Sequence, residues 1–253
     1  MKIAVITGAS SGMGREFAVQ VSKLYRNLDE IWVVARRTER LEELKKKLTV
    51  PVRIFDGDLG RDYIYERIEK SLDQKQAKIR LLVNAAGYGK MGLTEKLDSL
   101  DLCGMIQLNC IALTKMTHLC LPYMERGARV VQVASAAAFA PQPGFAVYAA
   151  SKSYVYSFSR ALRMELKKHG ISVTAVCPGP VDTEFFDRAG SLPGKGKEGL
   201  LAEEASVVRL ALLDAVWRKP VSIYGSTMKL CRIGAKLLPD GILAWAMKKL
   251  NQV

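Results

Sequence analysis

The sequence predicts one α/β domain built on a doubly wound, parallel, seven-stranded sheet, with an amphipathic helical tail at its C-terminal end. Short runs rich in β-branched residues alternate with longer segments whose apolar residues recur at i, i+3 and i+4. The runs are apolar on both faces, which is typical of strands covered by helices on both sides of a parallel sheet. The chain has 253 residues, 49% of them apolar, which is enough to bury one core.

Seven runs are predicted to be strands. They lie at residues 2–6, 30–35, 51–55, 79–85, 128–134, 171–176 and 221–225. The segments between them, such as RLEELKKKL and EEASVVRLALLDAVW, have the periodicity of amphipathic helices. Neither an internal repeat nor a low-complexity linker divides the sequence. Residues 1–225 are therefore predicted to form the sheet-bearing domain, and residues 226–253 an extension of the same domain.

Two segments fall outside this alternation. Residues 183–200 follow the sixth strand and are rich in glycine and lysine. Ligands of open parallel sheets bind outside the carboxyl ends of the strands, so this segment is a candidate lid, the alternative being an ordinary surface loop. In the tail, Pro239 is expected to end one helix before a second begins. The apolar face of the first tail helix is formed by Leu230, Ile233, Leu237 and Leu238.

Composition excludes several classes of protein. The net charge is +13, but the basic residues are dispersed among acidic and apolar ones, so no nucleic-acid partner is expected. Five cysteines without a CxxC pair favour reduced thiols and a cytoplasmic location, and with only two histidines a metal centre is not expected. No secretory signal is recognisable, and no apolar run approaches the roughly 18 residues that a membrane-spanning helix needs.

A glycine-rich turn follows the first predicted strand and opens the first helix. In TGASSGMG, the glycines at 8, 12 and 14 let the backbone turn tightly and approach a pyrophosphate at the N-terminus of that helix. The spacing is G-xxx-G-x-G, which departs from the general G-x-G-x-x-G fingerprint. This turn predicts a dinucleotide site with contacts from Gly8, Ser10, Ser11, Gly12, Met13 and Gly14.

The end of the second predicted strand indicates which dinucleotide is bound. An NAD site usually has an acidic residue there for the ribose 2′-hydroxyl, but this chain has Arg36 and Arg37. The guanidinium fork suits a 2′-phosphate, and Ser10 and Ser11 could add hydroxyl donors. We therefore expect NADP(H), the alternative being that the arginines belong to a solvated helix surface.

The stretch AVYAASKSYVYSFSRALRMEL, residues 146–166, places Lys152 four residues after Tyr148. On a helix the two side chains share a face, and a neighbouring ammonium favours phenolate. The pKa of Tyr148 is therefore expected to fall from its ordinary value towards the working pH, where acid–base catalysis is efficient. The alternative is one more amphipathic helix.

Seven motifs in order resemble those of the short-chain dehydrogenase/reductase superfamily, in its single-domain branch. They are TGASSGMG at 7–14, DL at 58–59, VNAAG at 83–87, LN at 108–109, VASAAA at 133–138, YAASK at 148–152 and PGPVDT at 178–183. The resemblance covers residues 2–225, and it implies a Rossmann-type fold for the dinucleotide-binding and catalytic domain. One departure is Ala85, where the family often has a second asparagine.

The resemblance implies a role for each matching residue. Asn109, Ser135, Tyr148 and Lys152 match the catalytic tetrad, with Lys152 also binding the nicotinamide ribose and Asn109 holding a water that relays protons. The further cofactor contacts that it implies are Asp58, Leu59, Asn84, Gly87, Tyr148, Pro178, Gly179, Val181 and Thr183.

The expected activity is NADP(H)-dependent interconversion of a carbonyl and a secondary alcohol. The substrate contacts would be Ser135, Phe145, Tyr148, Phe185 and Phe186, and their apolar character favours a steroid- or lipid-like ketone. The alternatives are a 3-oxoacyl thioester reductase and a non-catalytic NADP(H)-binding regulator. We expect a homodimer or homotetramer. The tail is expected to cover the substrate mouth, pack on a second subunit or touch an anionic membrane.

Overall fold

Seven parallel strands form one sheet in the computed structural model, which describes residues 1–181, 183–190 and 201–251. The order across the sheet is β3-β2-β1-β4-β5-β6-β7, which confirms the predicted doubly wound topology. The strands are β1 Lys2–Thr7, β2 Glu30–Ala35, β3 Val52–Asp56, β4 Lys78–Asn84, β5 Met124–Val133, β6 Ser172–Val176 and β7 Val221–Ser222.

Helices connect the strands and cover both faces of the sheet. They are α1 Gly12–Leu24, α2 Thr38–Lys45, α3 Tyr63–Lys75, α4 Ser99–Ile106, α5 Leu113–Cys120, α6 Ala146–Leu166, α7 Phe185–Ala189, α8 Glu204–Val216, α9 Ser226–Leu237 and α10 Asp240–Asn251. Helices α4 and α5 are joined without a break by a π-helical segment, Gln107–Ala112. Short 3-10 turns lie at Thr94–Lys96, Leu121–Tyr123, Ala136–Phe139 and Lys167–His169.

Alternate residues of β1 belong to two different cores. Ile3 and Val5 pack with the layer that contains α3 and α5, while Ala4 and Ile6 pack with α1 and α8 on the other face. All four side chains are fully buried. This two-sided burial explains why the strands are continuous apolar runs in the sequence, without an alternation of polar residues.

Strands β1 and β4 lie side by side although they are far apart in the sequence, and the chain order reverses direction across the sheet at this point. Loops that leave the carboxyl ends of two such strands diverge to opposite faces, which opens a crevice between them. The glycine-rich turn after β1 and the VNAAG segment after β4 therefore meet at the carboxyl ends of these two central strands.

The two tail helices lie on the chain's own surface. Leu243 of α10 is buried, and Asn251 Nδ2 donates hydrogen bonds to the Pro143 carbonyl (2.8 Å) and to Gln142 Oε1 (3.2 Å). In α9, Arg232 Nη2 donates to the Tyr156 hydroxyl at 3.0 Å. As expected from Pro239, α9 ends before that residue and α10 begins after it. None of the helices in the described ranges combines the length and apolarity needed to cross a bilayer.

Candidate active site

A cleft of about 630 Å³ opens at the carboxyl ends of the central strands. Twelve of the predicted cofactor contacts line it, and two residues that they flank, Ala85 and Ala86, form part of its wall. The predicted residues in the lining are Gly8, Ser10, Ser11, Gly12, Met13, Gly14, Arg36, Arg37, Asp58, Leu59, Gly87 and Thr183. A volume of this size belongs to the range that small-molecule and cofactor sites occupy.

The glycine-rich turn is shaped for an anion. Gly8 has φ +70°, and a Cβ there would lie 2.8 Å from the backbone of Ala86, so the two loops can meet only without a side chain. Gly12 also has a positive φ, +52°. Ser11 precedes α1 but does not cap it, and the first turn of α1 contains no acidic side chain. The backbone N–H groups of that turn have no partner within the helix and form the positive end of its dipole. They therefore face the cleft in the arrangement that binds a pyrophosphate.

Arg37 is fixed at the rim of this cradle by the two serines of the turn. Its Nη2 donates to Ser11 Oγ at 2.6 Å and to Ser10 Oγ at 3.2 Å. Arg36 also lines the cleft and is exposed. The sequence analysis predicted that the arginines and the two serines would bind the same part of the cofactor. The structure brings Arg37, Ser10 and Ser11 into contact.

Glu184 is a cleft residue that the sequence did not reveal. Its carboxylate accepts hydrogen bonds from Arg37 Nη1, at 3.2 Å, and from Arg40 Nη1. The bond from Arg40, and then that from Arg37, lowers the pKa of the Glu184 carboxyl below its ordinary value. No local pattern could have identified this contact, because 147 residues separate Arg37 from Glu184.

Asp58 and Leu59 line the cleft at a tight turn. The Asp58 carboxylate accepts a hydrogen bond from the Gly60 amide at 2.8 Å, and the Asp58 amide donates to the Tyr63 hydroxyl at 3.3 Å. Leu59 is buried beneath this turn. Gly57 and Gly60, which the sequence analysis did not select, line the cleft on either side of the pair.

Six predicted cofactor contacts lie outside the lining of the cleft: Tyr148 and Lys152, which are described below, and four others. The Asn84 amide donates to Thr117 Oγ1 at 3.0 Å, because this last residue of β4 points into the core beside α5. The Pro178 carbonyl accepts from the Ala136 amide, and Gly179 packs tightly against Met228 of α9. Val181 is buried and pairs with Ala202. These four residues therefore contribute to packing and hydrogen bonds outside the lining of the cleft.

An aromatic cluster adjoins the cleft. The rings of Phe145 and Tyr148 are stacked with centroids 4.2 Å apart, and the Tyr148 and Phe185 centroids are 5.4 Å apart. Tyr88 belongs to the same cluster, and Tyr88 and Phe185 also line the cleft. Phe186 lies outside the cleft lining but contacts Phe185 edge to face at 5.4 Å.

Gly89 is a further position that the sequence analysis did not select. A Cβ at this residue would lie 2.6 Å from Phe145 Cζ and 2.8 Å from Phe185 Cζ. The two rings therefore approach each other over a backbone that has no side chain. The sequence could have indicated this position, because Gly89 follows Gly87 by only two residues.

Asn109 is completely buried in the π-helical segment between α4 and α5. Its Nδ2 donates to the Tyr88 carbonyl and to Ser151 Oγ, both at 2.9 Å, and its Oδ1 accepts from the Tyr88 amide at 3.0 Å. A Cβ on Gly87 would lie 2.8 Å from Asn109 Oδ1 and 3.3 Å from Lys152 Nζ. Asn109 and Lys152 therefore converge behind the wall of the cleft.

Tyr148, Lys152 and Ser135 meet at the inner end of the aromatic cluster. Lys152 Nζ donates to the Val133 carbonyl at 2.9 Å and lies 5.7 Å from the centroid of the Tyr148 ring. The Ser135 side chain lies close enough to the Tyr148 hydroxyl to lower its pKa, and Ser135 Oγ accepts a hydrogen bond from the Ala137 amide at 3.1 Å. The shared helical face that the four-residue spacing predicts is present, and the end of β5 supplies the serine.

The pKa of Tyr148 is opposite in direction to the sequence-based expectation. Burial among aromatic rings raises it to about 12, and the neighbouring Ser135 hydroxyl lowers it only in part. Burial also lowers the pKa of Lys152 to about 8. The expectation was wrong for the protein without ligands because the ammonium loses its own hydration and faces the ring and a carbonyl. Desolvation therefore outweighs the attraction between the pair.

The cysteines and histidines add no further centre to this site. All five cysteines are free thiols. Within residues 1–181, 183–190 and 201–251, no three histidine, cysteine or acidic side chains are grouped so that they could hold a metal ion.

Comparison with known proteins places this arrangement in a family. The model of the short chain dehydrogenases matches residues 2–191. Sulfoacetaldehyde reductase of Chromohalobacter salexigens is 37% identical over 186 residues, covering 71% of this chain and 72% of that protein. A short-chain dehydrogenase from Sphingobium yanoikuyae, solved with NADPH, has a TM-score of 0.78 and 29% identity, covering 94% of each chain.

A dehydrogenase from Burkholderia phymatum, solved with NAD, has a TM-score of 0.79. The match covers 93% of this chain and 94% of that one; at 21% identity it supports the fold alone. Nicotinamide dinucleotides are thus bound by structural neighbours in both forms, with and without the 2′-phosphate. With a family model that matches most of its length and a relative at 37% identity, the chain belongs to the short chain dehydrogenases, a family of oxidoreductases.

Proposed function

We propose that the protein is an NADP(H)-dependent oxidoreductase that interconverts a hydrophobic ketone and the corresponding secondary alcohol. The observation that carries this proposal is the placement of the Tyr148 hydroxyl beside Ser135 and next to a cleft of cofactor size. The cofactor would supply or accept the hydride at the substrate carbon. The glycine-rich turn, Arg36, Arg37 and the Asp58–Leu59 turn would hold it.

Tyr148 serves as the acid when the ketone is reduced. Its raised pKa keeps the phenol protonated at neutral pH, so that it can give its proton to the carbonyl oxygen as negative charge develops there. Ser135 donates a second hydrogen bond to the same oxygen. Lys152 and Asn109 converge behind Gly87 and form the route by which the tyrosine regains its proton.

The preference for NADP(H) rests on charge at the rim of the cleft. Arg37 has a fixed orientation through Ser10 and Ser11, and its guanidinium fork is suited to a phosphate. Arg36 adds a second exposed cation in the lining. Equilibrium binding of NADPH and NADH to the wild-type protein tests this preference, and tighter binding of NADH would contradict it.

The proposed substrate class rests on the aromatic cluster. Tyr88, Phe145, Tyr148 and Phe185 present a largely apolar surface beside the proton donor, which suits a steroid- or lipid-like ketone. Sulfoacetaldehyde, the compound in the name of the C. salexigens relative, is a small, anionic aldehyde. Its binding does not need an apolar surface made of four aromatic side chains. A 3-oxoacyl thioester is the other candidate, since the net charge of +13 could attract an acidic carrier.

A substrate panel tests the activity. NADPH consumption is measured with a steroid ketone, a medium-chain aliphatic ketone, sulfoacetaldehyde and a 3-oxoacyl thioester, and NADH serves as the cofactor control. Tyr148→Phe is expected to lower kcat by at least about 100-fold while NADPH binding is retained. Full turnover by this variant would contradict the mechanism. NADPH binding without any turnover of the panel by the wild type would favour a non-catalytic regulator.

The outer face of the tail supports a contact with an anionic membrane. Leu230, Ile233, Leu237 and Trp245 are exposed, and Lys229 and Lys236 flank the row on α9. Interfacial helices combine an apolar face and basic neighbours in this way. Sedimentation with anionic vesicles is expected to be lost in the double variant L230S/L237S, whose substitutions lie outside the core. Equal sedimentation of wild type and variant would eliminate this contact.

Homodimer or homotetramer formation and a cytoplasmic location stay predictions. Exposed apolar side chains on the helices beside the sheet, among them Leu100, Ile111 and Tyr154, favour self-association. Light scattering after size exclusion measures the oligomeric state, and a monomeric mass over the working concentration range would contradict association.

A further inference from the structure

Glu184 binds two arginines at the rim of the cleft: Arg37, to which the proposed function gives a role in recognising a 2′-phosphate, and its neighbour Arg40. We infer that Glu184 is a specificity-determining residue whose carboxylate competes with the 2′-phosphate of the cofactor for Arg37 and Arg40. This inference rests on the proposed use of NADP(H). It adds that the chain contains an internal anion which weakens its own preference for the phosphorylated dinucleotide.

The contacts of Arg37 limit how it could bind a phosphate. Its Nη2 is occupied by Ser10 and Ser11, and its Nη1 donates to Glu184 Oε2 at 3.2 Å. The Nη1 of Arg40 donates to the other oxygen, Glu184 Oε1. One carboxylate thus bridges two guanidinium groups, in the way that two oxygens of a phosphate could.

Electrostatics decides the direction of the effect. The two arginines and the carboxylate carry a net charge of about +1, whereas a 2′-phosphate brings nearly two negative charges to the same place. Glu184 remains ionised because its arginine partners lower the pKa of its carboxyl. The phosphate must therefore displace the carboxylate or accept its repulsion, and either of these weakens binding.

The size of the effect is limited by solvent. The side chains of Arg37, Arg40 and Glu184 are 41–47% exposed, so water and salt screen their interaction. Exposed ion pairs are typically worth less than about 1 kcal/mol, which corresponds to about fivefold in affinity. A change of this size is measurable by titration, and it will be clearest at low ionic strength.

The test compares Glu184→Gln with the wild type and with Glu165→Gln. Glu165 is exposed near the far end of α6, so its replacement changes the net charge equally but away from the cleft. Affinities are measured by calorimetry for 2′,5′-ADP and 5′-AMP, which differ by the 2′-phosphate, and by fluorescence for NADPH and NADH. These readouts do not require turnover.

Glu184→Gln is expected to tighten 2′,5′-ADP and NADPH by up to about fivefold and to leave 5′-AMP and NADH unchanged, while Glu165→Gln changes none of the four. Unchanged or weaker 2′,5′-ADP binding in Glu184→Gln would overturn the inference, as would an equal gain for 5′-AMP. The proposed cofactor preference fails separately, if the wild type binds 5′-AMP as tightly as 2′,5′-ADP. The comparison of the variant with the wild type does not depend on that result.

Discussion

At the scale of single residues, Gly89 determines how closely Phe145 and Phe185 can approach. Gly89→Ala would bring a methyl group to within 2.6 Å of one ring and 2.8 Å of the other, so the rings must move apart. We expect a loss of about 1–3 kcal/mol in the free energy of unfolding, the usual cost of overpacking, and a lower rate of ketone reduction.

Gly234→Ala is the matched control for Gly89. Nothing lies within 4 Å of a Cβ at Gly234, and the residue is in α9, where alanine is the better helix former. This variant is expected to be as stable as the wild type or up to about 1 kcal/mol more stable. Thermal unfolding of both variants checks the pair, and a stable, fully active Gly89→Ala would show that the rings have room to move.

Lys152 gives the free energy of unfolding a pH dependence of known sign. Burial lowers its pKa in the folded protein to about 8 from its ordinary value of 10.5, so between these values the unfolded chain binds more protons. The contribution of Lys152 to the free energy of unfolding therefore rises with pH across this window. Below pH 8 the full destabilisation that comes from burying the charged lysine is present.

The contribution of Lys152 is isolated by comparison with Lys152→Met. Buried Cys177 and Tyr148, whose pKa values are raised, oppose the trend at high pH in both proteins. Urea unfolding at several pH values between about 8 and 10 should show the wild type gaining stability relative to Lys152→Met. A difference that does not vary with pH would mean that the lysine is not desolvated as described.

How far the site could be predicted differs from residue to residue. The pairing of Tyr148 with Lys152 could be predicted because it depends only on helical spacing. The direction of the Tyr148 pKa could not, since it depends on Phe145, Phe185 and the depth of burial. Glu184 and Gly89 likewise became visible only after distant segments had been brought together.

At the scale of secondary structure, the π-helical segment places Asn109 where its amide can bind the backbone of Tyr88. Asn109→Ala would remove two hydrogen bonds to that backbone and a third to Ser151. We expect a loss of about 2–3 kcal/mol in the free energy of unfolding. Ser151→Ala, which removes the third partner of the same amide, is expected to cost about 1 kcal/mol. Denaturant unfolding of the two variants measures this order, and equal losses would contradict it.

The strands were predictable and the π-helical segment was not, for a physical reason. Burial on both faces leaves a long apolar run in the sequence, and six of the seven predicted runs agree with the observed strands at most positions. The seventh, β7, is two residues long where five were expected, because the chain turns away and Gly225 takes a positive φ of +83°. One residue of extra helical winding leaves no comparable trace, since α-helical periodicity continues on both sides of Gln107–Ala112.

At the scale of the whole molecule, the last described helix is tied to the loop that precedes Phe145. Asn251→Ala would remove the hydrogen bonds to Pro143 and Gln142. Because these bonds hold the loop before Phe145 and involve none of Ser135, Tyr148 and Lys152, we expect a higher KM for a bulky ketone with kcat nearly unchanged. Steady-state kinetics separates the two constants. A fall in kcat alone would show that the tail acts on the chemistry.

The topology was the most predictable property of the molecule. Strand–helix alternation, two-sided burial and a glycine-rich turn after the first strand all pointed to the same sheet, and the observed strand order agrees. The position of the tail was not predictable from periodicity, because an amphipathic helix has the same pattern on its own domain, on a second subunit or on a lipid surface. Residues 191–200 of the expected lid lie outside the described residues, and residues 183–190 include α7.

The three tryptophans give the molecule separate optical reporters. Trp32 is fully buried in β2, whereas Trp217 and Trp245 are 63% and 59% exposed on α8's C-terminal turn and on α10. The emission of Trp32 will therefore follow global unfolding and resist quenching by iodide, while the other two are quenched. In the Trp217→Phe protein, iodide-accessible emission would come from Trp245 alone. One fluorescence measurement with iodide could then distinguish movement of the tail from unfolding of the sheet.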